Sequence, residues 1–160
     1  MDSVKWLQRI EIRDTPNDEF FANERYNAVF DSGKRSPLTD LEAKSQIGRP
    51  RNGDVIRSKT YTVAGAAWAG EQKIARVEIQ INDDGRWRPA TLKQTPEPFV
   101  WTQWTYDWVI PGPGRHKLAV RATDEKGRTQ PHKRDSERID EYELHEIHSV
   151  QVLAELPPIS

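Results

Sequence analysis

From Tyr61 onward the chain is a succession of short runs in which apolar and polar residues alternate, each closed by a turn. The alternation is cleanest in Ile74–Ile81, where Val77, Ile79 and Ile81 share one parity and Arg76, Glu78 and Gln80 the other. A period of two requires a strand with one covered face. Further runs follow at roughly the 8 to 12 residue spacing of a β-sandwich or barrel, with few helical patterns. Tyr61–Trp68 is the first of them, and its Trp68 is expected near the core. Val100–Trp108 places Val100, Trp104, Tyr106 and Trp108 on one side, His116–Thr123 does the same with Leu118, Val120 and Ala122, and Ser149–Leu156 with Val150, Val152 and Ala154.

Turn chemistry supports these boundaries. Asn82-Asp83-Asp84-Gly85 supplies residues that tolerate a left-handed backbone, as a hairpin needs, and Trp87 then opens the return strand. Pro111-Gly112-Pro113-Gly114, Asp124–Gly127 and Pro157-Pro158 close later runs. No internal repeat or low-complexity tract occurs, which disfavours a propeller or solenoid.

The first third reads differently. In Ser3–Asp14, Trp6, Ile10 and Ile12 alternate with Arg9, Glu11 and Arg13, predicting a short strand. Phe20, Phe21, Tyr26 and Phe30 form an aromatic cluster that needs a surface beyond its own segment. Asp31–Arg51 is polar and interrupted by Gly33, Pro37, Gly48 and Pro50, predicting a linker that ends in the Arg51-Asn52-Gly53-Asp54 turn. The division expected is an N-terminal extension over 1–44 and a globular domain over 45–160.

Composition excludes several chemistries. The chain of 160 residues has no cysteine, which removes thiolate metal sites, cysteine nucleophiles and disulfide scaffolds. With 31% charged residues and a net charge of −1, it exerts no long-range pull on nucleic acid or an anionic membrane. No stretch approaches 18 consecutive apolar residues, and the N-terminus lacks an apolar signal core. His145 and His148 suggest a metal by residue type, yet positions three apart on a strand point to opposite faces and no third ligand accompanies them. Asn82–Gly85 imitates a calcium loop only in part, since the later glutamate is missing, and a hairpin turn uses the same residues. Neither a nucleophile elbow nor a phosphate-loop glycine pattern is present.

Several motifs, taken in order, resemble one family. Gly65-Ala66-Ala67-Trp68, the run IARVEIQINDDGRWRPA from Ile74, and FVWTQWTYDWVIPGPGRHKLAVRATDEKGRTQP from Phe99 to Pro131 are similar to the C-terminal dimerisation domain of the sulfite oxidase family of molybdenum enzymes. That family shows a glycine-aromatic strand, I-x-R-V-E-V, D-G-G-x-x-W, W-x-x-W and R-A-x-D-x-x-G-x-x-Q-P. SVKWLQRIEI resembles the family's exit from the molybdopterin domain, and Leu38–Asp40 and Pro50–Asp54 resemble its linker.

The resemblance implies an all-β, immunoglobulin-like sandwich of the E-set type with an N-terminal strand and an extended linker. It implies a non-catalytic partner role: self-association as a homodimer and contact with a molybdopterin-binding catalytic domain that carries the metal-ligating cysteine. No cofactor is expected in this chain alone, and the molybdenum cofactor is implied for the parent oxidoreductase. Ser3, Val4 and Lys5 match the triplet that contacts the pterin in the family. The family's arginine-bearing segment before the last strand, whose arginine approaches the substrate anion, is replaced here by ERIDEYELHEIH, so that residue does not carry over. Trp101 and Trp104 have opposite parity, so one is expected in the core and one outside. The outward one suits a subunit interface or, in the competing reading of a stand-alone carbohydrate-binding or adhesion sandwich, a sugar platform.

Overall fold

The computed structural model describes residues 5–15, 20, 24–39, 41–142 and 144–156. Among these residues there are eleven strands: β1 (Asn27–Val29), β2 (Arg35–Pro37), β3 (Lys44–Arg49), β4 (Val55–Ile56), β5 (Thr60–Trp68), β6 (Ile74–Ile81), β7 (Arg88–Pro89), β8 (Thr91–Leu92), β9 (Thr102–Val109), β10 (Gly114–Asp124) and β11 (His148–Ala154). They form a five-stranded sheet in the order β4-β11-β10-β6-β7, a four-stranded sheet in the order β3-β5-β9-β8, and the separate hairpin β1-β2. This is the expected immunoglobulin-like β-sandwich. No described helix is long and apolar enough to cross a membrane.

The core lies between the two larger sheets and follows the period of two. Val77 and Ile79 of β6, Leu118, Val120 and Ala122 of β10, and Val150, Val152 and Ala154 of β11 face it from one side. Val63 and Ala67 of β5 and Trp104 and Trp108 of β9 face it from the other. The two indoles are 0% and 1% exposed, and burying each contributes on the order of 4 kcal/mol. Room for Trp104 comes from Gly65, its cross-strand neighbour. A Cβ at Gly65 would stand 2.5 Å from Trp104 Cζ2 and 2.0 Å from the Gln46 carbonyl oxygen.

Trp68 departs from expectation. With Val63 and Ala67 inward, the pleat sends Trp68 to the outer face, where it is half-buried and stacks on Trp101 with ring centroids 5.2 Å apart. The aromatic signature suggested core, but parity on its own strand decides the direction.

The linker expected over Asp31–Arg51 contains strands. β1 and β2 pair as a hairpin, and β3 is a full member of the four-stranded sheet, antiparallel to β5. Gly48 reads as a breaker, yet it sits where the β3–β5 register shifts between Ile47 and Arg49, a bulge that a glycine accommodates. Ser45 and Ile47 are the buried positions of β3.

The N-terminal strand does not form among residues 5–14. Trp6, Ile10 and Ile12 are 92%, 79% and 96% exposed. Alternation alone cannot hold a strand whose backbone groups lack a neighbouring ladder, and none of the described strands pairs with this segment. The aromatic cluster finds its surface within the chain for two members: Tyr26 packs on Tyr142 at 5.9 Å, and Phe30 bridges to Arg138. Phe20 remains 57% exposed, and Phe21 lies outside the described residues.

The Asn82–Gly85 hairpin turn forms as read, with positive φ at Asn82, Asp83 and Gly85. The return strand that Trp87 was expected to open is reduced to Arg88-Pro89. Proline offers no N–H to a further neighbour, which suits an edge.

Candidate interaction surfaces

Three places gather side chains in a way that packing of the core does not require. The first is the outer face of the four-stranded sheet. Ala64, Ala66 and Trp68 of β5, Gln46 and Gly48 of β3, and Gln103 and Thr105 of β9 lie on it by parity and register. An open depression of about 620 Å³ is lined by Gly48, Arg49, Ala64, Ala66, Lys93 and Trp101, among others. At one end stands the Trp68–Trp101 stack, extended by Phe99 and Val100, which are 76% and 51% exposed, while Trp101 is 66% exposed. Two hydrogen bonds fix this arm: Phe99 N donates to the Gly70 carbonyl at 2.7 Å, and Gln94 Nε2 donates to the Trp101 carbonyl at 2.7 Å. At the other end Thr62 Oγ1 donates to Asp107 Oδ1 at 2.8 Å.

The second place is the outer face of the five-stranded sheet, which is charged. Arg121 donates to Glu78 at 2.9 Å and lies over the Trp87 ring at 4.2 Å, and Arg76 approaches Glu78 at 3.4 Å. Glu78 and Arg121 are largely covered and only Arg76 is well exposed, so this face is a charged patch already satisfied within the chain.

The third is the loop after β10. Asp140, whose side chain is 5% exposed, accepts from Arg134 at 2.9 Å and Arg138 at 2.7 Å. It also accepts from the backbone N–H groups of Val29 at 2.8 Å and Tyr142 at 2.9 Å. The Arg138 hydrogen bond holds the Asp140 carboxyl far below the usual carboxylate range. Beside this knot a basic depression of about 370 Å³ is lined by Lys133, Arg134, Arg138 and His145 together with Phe30, Pro131 and Asp135. The sequence signal for it is the cluster of basic residues in 131–145, but only the carboxylate between them shows why the two arginines converge.

The run from Arg121 to Pro131, which carries the R-A-x-D-x-x-G-x-x-Q-P resemblance, is architectural. Asp124 is fully buried; burial pushes its carboxyl up, and hydrogen bonds from Arg128 outweigh this and bring it below the usual value. Gly127 takes φ +81 and donates to the Asp124 carbonyl, closing the turn. Gln130 is buried between the sheets.

Of the predicted site residues, Lys5 is exposed, and Ser3 and Val4 lie outside the described residues. His145 and His148 do not converge on a metal, and no group of three potential His, Cys, Asp or Glu ligands occurs among the described residues. His148 instead accepts a hydrogen bond on Nδ1 from Ile47 N at 3.2 Å, tying β11 to β3.

Known proteins share much of this sequence and fold. The family model described as the Mo-co oxidoreductase dimerisation domain matches residues 35–139. The chain belongs to this family. Among curated relatives, the NAD(P)H nitrate reductase of Betula pendula is 28% identical over 158 residues, covering 81% of this chain and 18% of that protein. The mitochondrial sulfite oxidase of Homo sapiens is 24% identical, covering 80% and 26% respectively. Among solved structures, the sulfane dehydrogenase SoxCD of Paracoccus pantotrophus superposes with a TM-score of 0.75 at 25% identity, over 91% of this chain and 39% of that one. The chain thus spans about a quarter or less of these two curated relatives.

Proposed function

We propose that this chain is a non-catalytic assembly domain of a sulfite oxidase-like, molybdopterin-dependent oxidoreductase, pairing with a second copy of itself and with a domain that holds the molybdenum cofactor. The family match over 35–139 carries the reading. Residues 45–160 form the assembly domain, and 1–44 the approach from the catalytic partner. The exposed Trp6, Leu7, Ile10 and Ile12 supply an apolar strip for that partner to cover.

The residues present do not build a molybdenum site. The chain has no cysteine to ligate the metal, and Lys5 is exposed. The cofactor therefore belongs to the partner domain, with Ser3, Val4 and Lys5 as the chain's only proposed contacts to it. In the assembled enzyme, the depression lined by Lys133, Arg134 and Arg138, whose cationic side chains outnumber the carboxylates of Asp135 and Asp140, offers one wall to an anionic substrate.

Sedimentation across a wide concentration range tests the reading. A reversible dimer is expected, together with a complex when a molybdopterin-loaded catalytic domain of the family is added. A strict monomer that also ignores the catalytic domain overturns the proposal.

A further inference from the structure

Resting on the dimerisation reading, we infer that the surface on which two copies meet is the outer face of the four-stranded sheet, with the Trp68–Trp101 stack of each copy seated against the small-residue depression of the other.

The two outer faces of the sandwich differ in what contact would cost. On the five-stranded sheet, Glu78 and Arg121 are already paired and largely covered, with Trp87 against Arg121, and a partner would have to desolvate the exposed Arg76 beside them. On the four-stranded sheet the middle positions are Gly48, Ala64, Ala66, Gln103 and Thr105, with no formal charge. Interface centres are depleted in charge and enriched in aromatic residues, and the rim is polar. Arg49 and Lys93 border this depression, and Asp107 lies at one end of the strand ladder.

The same face also carries both halves of a fit. Trp101 projects with most of its surface exposed, although its ring is stacked on Trp68 and its carbonyl is held by Gln94. The anchor is therefore ordered before binding, which lowers the entropy cost of association. Beside it lies the depression of about 620 Å³ floored by glycine and alanine. A knob and a hollow side by side on one surface are what a two-fold axis requires, since each copy presents its knob to the other's hollow. The rim carries both signs, Arg49 and Lys93 against Asp107, so a second copy is also an electrostatic match. The size suffices too: nine-residue β5 runs about 30 Å and four strands span about 19 Å. With the Phe99–Trp101 arm added, the face is on the scale of the roughly 800 Å² per partner of a standard interface.

The absence of native cysteine allows a clean test on the full chain. Gln103→Cys places a thiol on the proposed face and Gln151→Cys places one on the opposite sheet; both positions are exposed. A short bismaleimide is expected to join two copies through position 103 and not through 151. Ala66→Glu, which sets two like charges near the axis, is expected to raise the dimer dissociation constant by about 100-fold or more, with the circular dichroism spectrum unchanged. Trp101→Ala is expected to weaken the dimer as well. A dimer that cross-links at 151 and not at 103, or that keeps its wild-type constant in Ala66→Glu, overturns the assignment of the face while leaving dimerisation intact. A wild-type chain that stays monomeric overturns the dimerisation reading itself. Binding of soluble β-glycans by such a monomer, lost in Trp101→Ala, gives the face to carbohydrate instead.

Discussion

The side chain of Gln130 closes the seam between the sheets: its Oε1 accepts from Ser45 N on β3 at 2.9 Å. The same oxygen accepts from Ala122 N on β10 at 3.1 Å, and Nε2 donates to the Glu146 carbonyl at 2.7 Å. One buried amide thus satisfies backbone groups on three segments, where an edge strand would otherwise bury unpaired N–H groups. Gln130→Met preserves length and apolar packing but removes the acceptor. It is expected to cost about 2–4 kcal/mol, because two buried donors are orphaned together. Urea denaturation followed by tryptophan fluorescence measures this; a loss below about 0.5 kcal/mol means that the seam is held by packing.

Gly65→Ala is the second expectation. The added methyl has nowhere to go, since Trp104 lies beneath it and the Gln46 carbonyl beside it, so the variant is expected to lose about 2–3 kcal/mol. Gly112→Ala is the matched control, because a Cβ there meets nothing within 4 Å. Equal thermal midpoints for the two variants exclude the proposed role of Gly65.

How far the sequence reveals the structure follows from which interactions are local. The alternation in Ile74–Ile81 reads directly as β6 because period and face are properties of the segment itself, and the turn at Asn82–Gly85 reads from residues that tolerate positive φ. β3 is hidden, since Gly48 and Pro50 look like breakers until β5 is beside it and the bulge takes up the glycine. Trp68 misleads for the converse reason: a tryptophan promises burial, but only the parity fixed by Val63 and Ala67 shows that it faces out. The interaction face is legible in the sequence only through its tryptophan, since opposite parity at Trp101 and Trp104 predicts one indole outside. The alanines and glycines of its floor give no such signal until three strands bring them together. The Asp140 knot is equally silent, because Val29 and Asp140 are far apart in the chain.

The pH dependence of stability has one contribution near neutrality and others in acid. Burial, and then the charge of Lys44, lower the His148 pKa from its ordinary 6.5, and the neutral ring is the form that accepts from Ile47 N. A histidine whose folded pKa is depressed contributes stability that is fully present above about pH 6.5. That stability is lost progressively as the pH falls toward the depressed folded value. The lowered carboxyls of Asp140 and Asp124 act in a lower window, with their stabilisation present above about pH 4 and lost below it. The urea midpoint is therefore expected to drop between pH 7.5 and 5.5. His148→Asn retains an acceptor at the Nδ1 position without titrating, and is expected to flatten that step while leaving the acid one. An unchanged step in His148→Asn assigns it to another group.

Asp140→Asn is expected to loosen one part of the fold and leave the sandwich intact. The carboxylate joins the β1–β2 hairpin, through Val29 N, to the loop that carries Arg134, Arg138 and Tyr142. Other ties between the hairpin and this loop include Asp31 N to the Glu137 carbonyl, Ile139 N to the Val29 carbonyl, the Phe30–Arg138 bridge and the Tyr26–Tyr142 contact. Removing the charge leaves two part-buried arginines facing a neutral amide, an imbalance on the order of 3 kcal/mol. Because this energy holds a subdomain and not the core, it is expected to appear as local opening. Hydrogen exchange at Val29 and Ile139 should accelerate by about 100-fold, while amides of Leu118 and Val120 on β10 keep their protection. Uniform acceleration across both regions shows instead that hairpin and sandwich unfold as one cooperative unit.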